Sequence, residues 1–142
     1  MPTFDLAKIN WLAVFTAALA TFFLGAVWYQ ALFGNLWKRL HGYTHEQLRA
    51  MQAKRPPLVF FGGMIGAYLL LAFVMALLVT AFNVTGIAGG LALGLLLWLG
   101  PTSAVAFTGW LAADKAIGTY GLDAAYQFVY MAMIGVILAV WR

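Results

Sequence analysis

The chain has 142 residues, of which 65% are hydrophobic and only 8% charged, and it carries a net charge of +4. Soluble domains average roughly 45–50% apolar and about 25% charged residues, so a water-soluble fold is excluded and lipid must solvate most of this chain. With no cysteine there can be no disulfide framework, thiol nucleophile or thiolate metal centre. With no sizeable soluble segment, the positive charge reads as membrane-flanking loops rather than a nucleic-acid-binding face.

Four apolar segments predict four membrane-spanning helices, each near or above the ~20 residues that a helix needs to cross the hydrocarbon core. The first runs from Ile9 to Phe33. Within it, Ala18-Leu19-Ala20 mimics a signal-peptide cleavage site. Lys8 alone precedes it as a basic residue and the apolar run continues, which predicts an uncleaved helix. The stretch GAVWYQALFGNLWKRL, residues 25–40, closes this span. At about 100° per residue, Leu32, Phe33, Leu36, Trp37 and Leu40 share one face, and Gly34, Lys38 and Arg39 fall on the other. A straight helix would push that apolar face into water. A bend near Gly34 is therefore expected, with the following segment lying along the interface.

The loop 34–57 continues with Gly42, placed for a helix C-cap, and with Thr44 and Gln47 at capping-box spacing before a short helix. His41, His45 and Glu46 lie close in sequence, but Gly42 separates the histidines and no metal site is expected. The second span covers 58–82 and the third 87–112, with only Asn83-Val84-Thr85-Gly86 between them, which suggests a helical hairpin. Asn83-Val84-Thr85 also matches a glycosylation acceptor but reads as a tight turn. The fourth span covers 124–141, with Asp123 expected as its N-cap. The fold class is thus all-α, a single four-helix membrane domain over residues 1–142.

Basic residues orient it. Lys38, Arg39, Arg49, Lys54, Arg55 and Lys115 fall on one face, whereas the other has Lys8 and Arg142. The positive-inside rule makes the first face cytoplasmic and puts both termini outside. The interfacial anchors agree: Trp11 and Trp141 at the outer level, and Trp28, Tyr29, Trp37, Lys38, Arg39 and Trp110 at the inner level. Trp98 falls near the centre of the third span.

Small residues recur at packing spacing: Ala13, Ala17, Thr21 and Gly25; Gly62 and Gly66; Gly86, Gly90 and Gly94; then Ala132, Gly135 and Ala139. Such stripes let helix backbones approach closely, either within the bundle or against a second copy. No ionisable residue is expected in the central part of any span, which argues against a proton-coupled pump. Pro101 should kink the third helix and free the carbonyl of Leu97, with Thr102 and Ser103 able to bond back. Tyr68, Trp98, Ser103 and Tyr130 lie at similar depth and could line a pocket for a small apolar ligand, or simply fill volume. Tyr29, Gln30, Asp114, Lys115, Asp123 and Gln127 form a second, polar group at the cytoplasmic level.

Asn10-Trp11, Gly25-x-x-Trp28-Tyr29 and Phe33-Gly34-x-x-Trp37, with Tyr126, Gly135 and Trp141 in the last span, resemble a family of small bacterial four-helix membrane proteins known only as a domain of unknown function. The resemblance implies four spans and a bacterial inner-membrane location, and it brings no catalytic or binding residues with it. An Asn is common in that family near the start of the last span, where this chain has Asp123. The expected function is a non-catalytic membrane subunit that associates with itself or with another membrane protein in lipid. The alternative is a small transporter, channel or lipid-handling protein with a pocket near Trp98 and Pro101. No cofactor and no metal are expected.

Overall fold

The computed structural model describes residues 4–142, and among them every regular element is helical. Four helical segments are long and apolar enough to cross a membrane: Trp11–Leu32, Pro57–Ala81, Gly86–Ala113 and Ile117–Val140. The shortest, of 22 residues, extends about 33 Å at 1.5 Å per residue, enough for the hydrocarbon core.

A short 3-10 turn at Leu6–Lys8 precedes α1 (Trp11–Ala26). The Asn10 side chain caps α1 by accepting the amide of Ala13. The helix then widens into a π turn, Val27–Leu32, closed by the Phe33 amide donating to the Trp28 carbonyl at 2.8 Å. Phe33 breaks the helix, and α2 (Gly34–His41) leaves in a new direction. Tyr29 meets Asp123 of the last span, whereas Leu40, eleven residues later, rests on Gly118, five residues before Asp123. A straight helix would have advanced about 16 Å over those eleven residues, but the contact lies only about 8 Å away along its neighbour. The chain therefore bends beside Gly34 and α2 crosses the end of the bundle where α7 begins. Leu36, Trp37 and Leu40 are half-buried, and Lys38 and Arg39 face out. Two of the face assignments differ. Gly34 is buried, because an added Cβ would lie 2.7 Å from the Tyr29 carbonyl, and Leu32 is exposed, because the π turn rotates it outward.

Gly42, at φ +66°, ends α2 in the left-handed conformation. Thr44 and Gln47 close both bonds of a capping box at the start of α3 (His45–Ala53). α4 (Pro57–Ala81) starts with proline at its first position, where no amide hydrogen is needed. The turn to α5 (Gly86–Leu97) uses left-handed conformations at Asn83 and Gly86. Gly86 thus serves the turn, and a Cβ there would meet nothing.

The third span does not simply kink at Pro101. Trp98–Thr102 forms a second π turn, which absorbs the lost amide donor, and α6 (Ser103–Ala113) follows. α7 (Ile117–Val140) begins seven residues earlier than expected. The run Gly118-Thr119-Tyr120-Gly121 looks like a loop by composition, but Thr119 bonds back to the Ala116 carbonyl and Tyr120 packs on Phe107. Asp123 is therefore not the N-cap. It lies inside the fourth span, six residues and about 9 Å from the first helical residue. The fourth span therefore contains one ionisable residue, outside its central part, whereas the expected bounds of 124–141 contain no carboxylate.

α1, α4 and α7 form a three-helix core around Val14, Ala17, Ala72, Met75, Val79, Ile134 and Leu138. α5 and α6 lie outside it and pack mainly on α7. α4 and α5 are joined by a tight turn yet make little contact, so the expected hairpin is a connection and not a packed pair. Glycine explains the preference. Gly90 and Gly94 press against the backbone of α7 at Gly135 and Met131, where a Cβ on Gly90 would lie 2.8 Å from the Val136 Cα. α7 touches every other long helix, and 44% of its most apolar stretch is buried against 11% of the third span's, which marks it as the central element.

Candidate functional site

The polar groups of the half of the bundle next to α2 converge on α7. The π turn at the end of α1 aims Trp28 and Tyr29 at that helix. A π turn inserts one extra residue per turn and changes the facing of what it carries, and such turns are frequent at functional sites. The Tyr29 hydroxyl donates to Asp123 Oδ1 at 2.6 Å. Asp123 Oδ2 takes no hydrogen bond from the described residues and is not buried.

One turn deeper, the Tyr126 hydroxyl donates to the Thr21 carbonyl at 3.0 Å. Its proton is thereby committed, so Tyr68, 3.0 Å away, donates to Tyr126. Gly25 makes room for this arrangement, since a Cβ there would meet the Tyr126 hydroxyl at 2.7 Å. The rings of Tyr29, Tyr126, Tyr130 and Tyr68 follow one another edge to face, with centroids 4.9–5.9 Å apart. Trp28 packs on Tyr126 and Phe33. Two polar atoms here are buried without a partner among the described residues: the Trp28 indole nitrogen and Gln127 Oε1. Unpaired buried polar atoms are rare, so their occurrence beside an intramembrane carboxyl group distinguishes this region from ordinary core.

The four residues expected around a midplane pocket separate into two groups. Tyr68 and Tyr130 belong to the tyrosine series on the core side of α7. Trp98 lies on the other side, where its indole donates to the Ala124 carbonyl at 2.9 Å and its ring meets Phe128. Ser103 bonds the Tyr120 hydroxyl at 2.7 Å and does not reach back to the carbonyl freed by Pro101. An open apolar groove of about 320 Å³ lies instead at the end of the bundle where α7 finishes, lined by Thr16, Ile87, Val136, Ile137, Val140 and Trp141.

The polar group expected at the cytoplasmic level also divides. Asp123 and Tyr29 are bonded, and Gln127 lies one helical turn from Asp123 on the same face. Gln30 is exposed. Asp114 holds a left-handed C-cap at φ 48° and, with Lys115, faces out. The Lys115 carbonyl accepts from the Trp110 indole at 2.8 Å, which fixes the turn between α6 and α7. His41 is engaged locally by the Trp37 carbonyl and by stacking with Trp37 and Tyr43.

A different feature lies on the outer face of α4. Gly62, Gly63 and Gly66 are exposed, with Ala67 beside them, and a Cβ at any of the three glycines would meet no atom of the described residues. By contrast, Ala13, Ala17, Thr21 and Gly25 are buried inside the bundle. On the third span, Gly100, Ala104, Thr108 and Ala112 form a further exposed small-residue line, which a reading of the glycines at its start alone does not show.

No curated protein and no solved structure matches the chain. A family model does match over residues 12–139, which takes in all four spans, the tyrosine series and Asp123. The chain therefore belongs to the family described as protein of unknown function (DUF1761).

Proposed function

We propose that this membrane protein is a non-catalytic subunit that pairs with a second copy of itself through the outer face of α4. The observation that carries the reading is the unequal use of glycine. Gly90, Gly94 and Gly135 are used where α5 meets α7, but Gly62, Gly63 and Gly66 meet nothing among the described residues. An interior helical glycine costs about 0.5–1 kcal/mol relative to alanine, so three within five residues need an external reason. Small-x-x-x-small spacing at Gly62/Gly66 and Gly63/Ala67 suits close backbone approach in lipid, where packing replaces the hydrophobic drive. A two-fold axis along the membrane normal brings the two patches together at equal depth.

In this reading the loop 34–57 and the α6–α7 turn face the cytoplasm of a bacterial cell, because they carry Lys38, Arg39, Arg49, Lys54, Arg55 and Lys115. The open groove near Ile87 and Trp141 holds lipid chains. Trp98 is hydrogen-bonded to Ala124 and packed on Phe128, which favours a structural role for it over a transport pathway.

The test is the mass of the protein in lipid nanodiscs and mild detergent. A dimer is expected, and Gly66→Leu should convert it to a folded monomer. Gly90→Leu and Thr21→Leu cannot serve, because both residues are buried within one chain. A strictly monomeric wild-type protein in both media refutes the proposal, and dimers unaffected by Gly62→Leu and Gly66→Leu refute the assigned face.

A further inference from the structure

We infer that Asp123 and Gln127 form an intramembrane acceptor pair for an alkylammonium group. Asp123 is the only acidic residue within any of the four spans, and no Lys, Arg or His lies within them. Among the described residues the one ion pair is Lys8 with Asp5, at the outer end. The carboxyl group lies about 9 Å along α7 from Ile117, with a neutral hydroxyl, that of Tyr29, as its bonded partner. Ionisable groups at such depth are costly and are usually retained for a ligand or a transfer pathway.

The surroundings define the ligand. Asp123 Oδ2 is reachable and unbonded, and Gln127 Oε1, one turn deeper on the same face, is a buried acceptor with no donor. The open positions on α7 are both acceptors, with the open donor of the Trp28 indole beside them; a ligand with several N–H donors fills the two acceptors, and a primary ammonium has three. The aromatic rings of Tyr29, Tyr126 and Trp28 stand beside the pair, and ring faces attract cations. Among the described residues no three metal-ligating side chains group together, which directs the site to an organic cation and not a coordinated metal. The bilayer offers this chemistry from two sources: the head group of an aminophospholipid drawn inward, or a free long-chain amine dissolved in the leaflet.

The test uses the wild-type chain in phosphatidylglycerol vesicles with a hydrophobic carbodiimide, which activates carboxyl groups inside the membrane, and follows by peptide mass the loss of unmodified Asp123, so that the N-acylurea and the amide that a primary amine forms with the activated carboxyl are both counted. Loss of unmodified Asp123 is expected to slow several-fold with dodecylammonium, and far less with dodecyltrimethylammonium, which carries the same charge without N–H donors. Slowing by phosphatidylethanolamine in the vesicles identifies the lipid as a source, and slowing by dodecylammonium alone identifies the free amine. Gln127→Leu should lose most of the protection. Equal protection by both dodecyl compounds, or protection by neither amine source, overturns the inference, as does full protection in Gln127→Leu.

Discussion

Placing alanine at Gly94 tests whether α5 is held on α7 by backbone contact. An added Cβ would lie 2.8 Å from the Met131 carbonyl carbon and 3.0 Å from the Ala132 Cα. Carbon atoms favour separations of about 3.5–4.0 Å, so the helices must part by roughly 0.5–1 Å, and neither neighbour can rotate away because both are backbone. A gap of that size forfeits a quarter to a half of each contact across the seam, and overpacking of this kind costs about 1–3 kcal/mol. Replacing an interior glycine returns about 0.5–1 kcal/mol through helix propensity, which leaves a net loss of about 1–2 kcal/mol. Gly66→Ala is the matched control, because its Cβ meets nothing, and the monomer should gain up to about 1 kcal/mol. The two variants should therefore differ by about 2 kcal/mol in reversible unfolding by SDS in mixed micelles, followed by tryptophan fluorescence at concentrations where the chain is monomeric. Equal midpoints for Gly94→Ala and Gly66→Ala would refute the assigned seam.

Tyr126→Phe removes the hydroxyl shared by Thr21 and Tyr68, and a loss of about 0.5–1.5 kcal/mol is expected in the same unfolding assay. Adding Tyr68→Phe should then cost less than it does in the wild type, and strict additivity would show that the two hydroxyls do not act together. Gly34→Ala pushes a Cβ against the Tyr29 carbonyl at the bend, so α2 should lift from Gly118 and residues 34–41 should become easier to proteolyse in vesicles open on that side; an unchanged cleavage rate counts against the bend. The cysteine-free chain also allows a clean topology assay. A cysteine at exposed Gln52 should react with an impermeant maleimide only from the cytoplasmic side, and one at exposed Phe82 only from the opposite side. Reversed labelling would overturn the orientation.

The spans are legible because the cost of exposing polar backbone to lipid leaves few structures open to long apolar runs. Local capping is legible for a similar reason: Gly42, Thr44 and Gln47 act on their own immediate neighbours. The start of α7 is not. Gly118, Gly121 and Asp123 have loop-like composition, and the partner that accommodates Asp123 within the helix is Tyr29, 94 residues away. Pro101 announces a disturbance, but whether it becomes a kink or a π turn depends on what Trp98 and Ser103 meet on α7. The π turn at Val27–Leu32 carries no proline and has no comparable local sign. Glycine spacing shows that backbones can approach, but not which ones do. Gly94 finds Met131, Gly86 serves a turn and Gly66 meets nothing, and only the three-dimensional arrangement separates these roles.

The position of α7 has a consequence for biosynthesis. It is made after the other three spans, yet it is the surface on which the third span rests. While the ribosome is still translating, α1 and α4 can already associate, because their contact does not involve α7. The third span has no such early partner, since α4 hardly touches α5. It must wait in the bilayer as a lone helix until residues 117–140 emerge, with Gly90 and Gly94 open to any neighbour that passes. A chain truncated before Ile117 would leave that glycine surface permanently unmatched and should be a preferred target for membrane quality control.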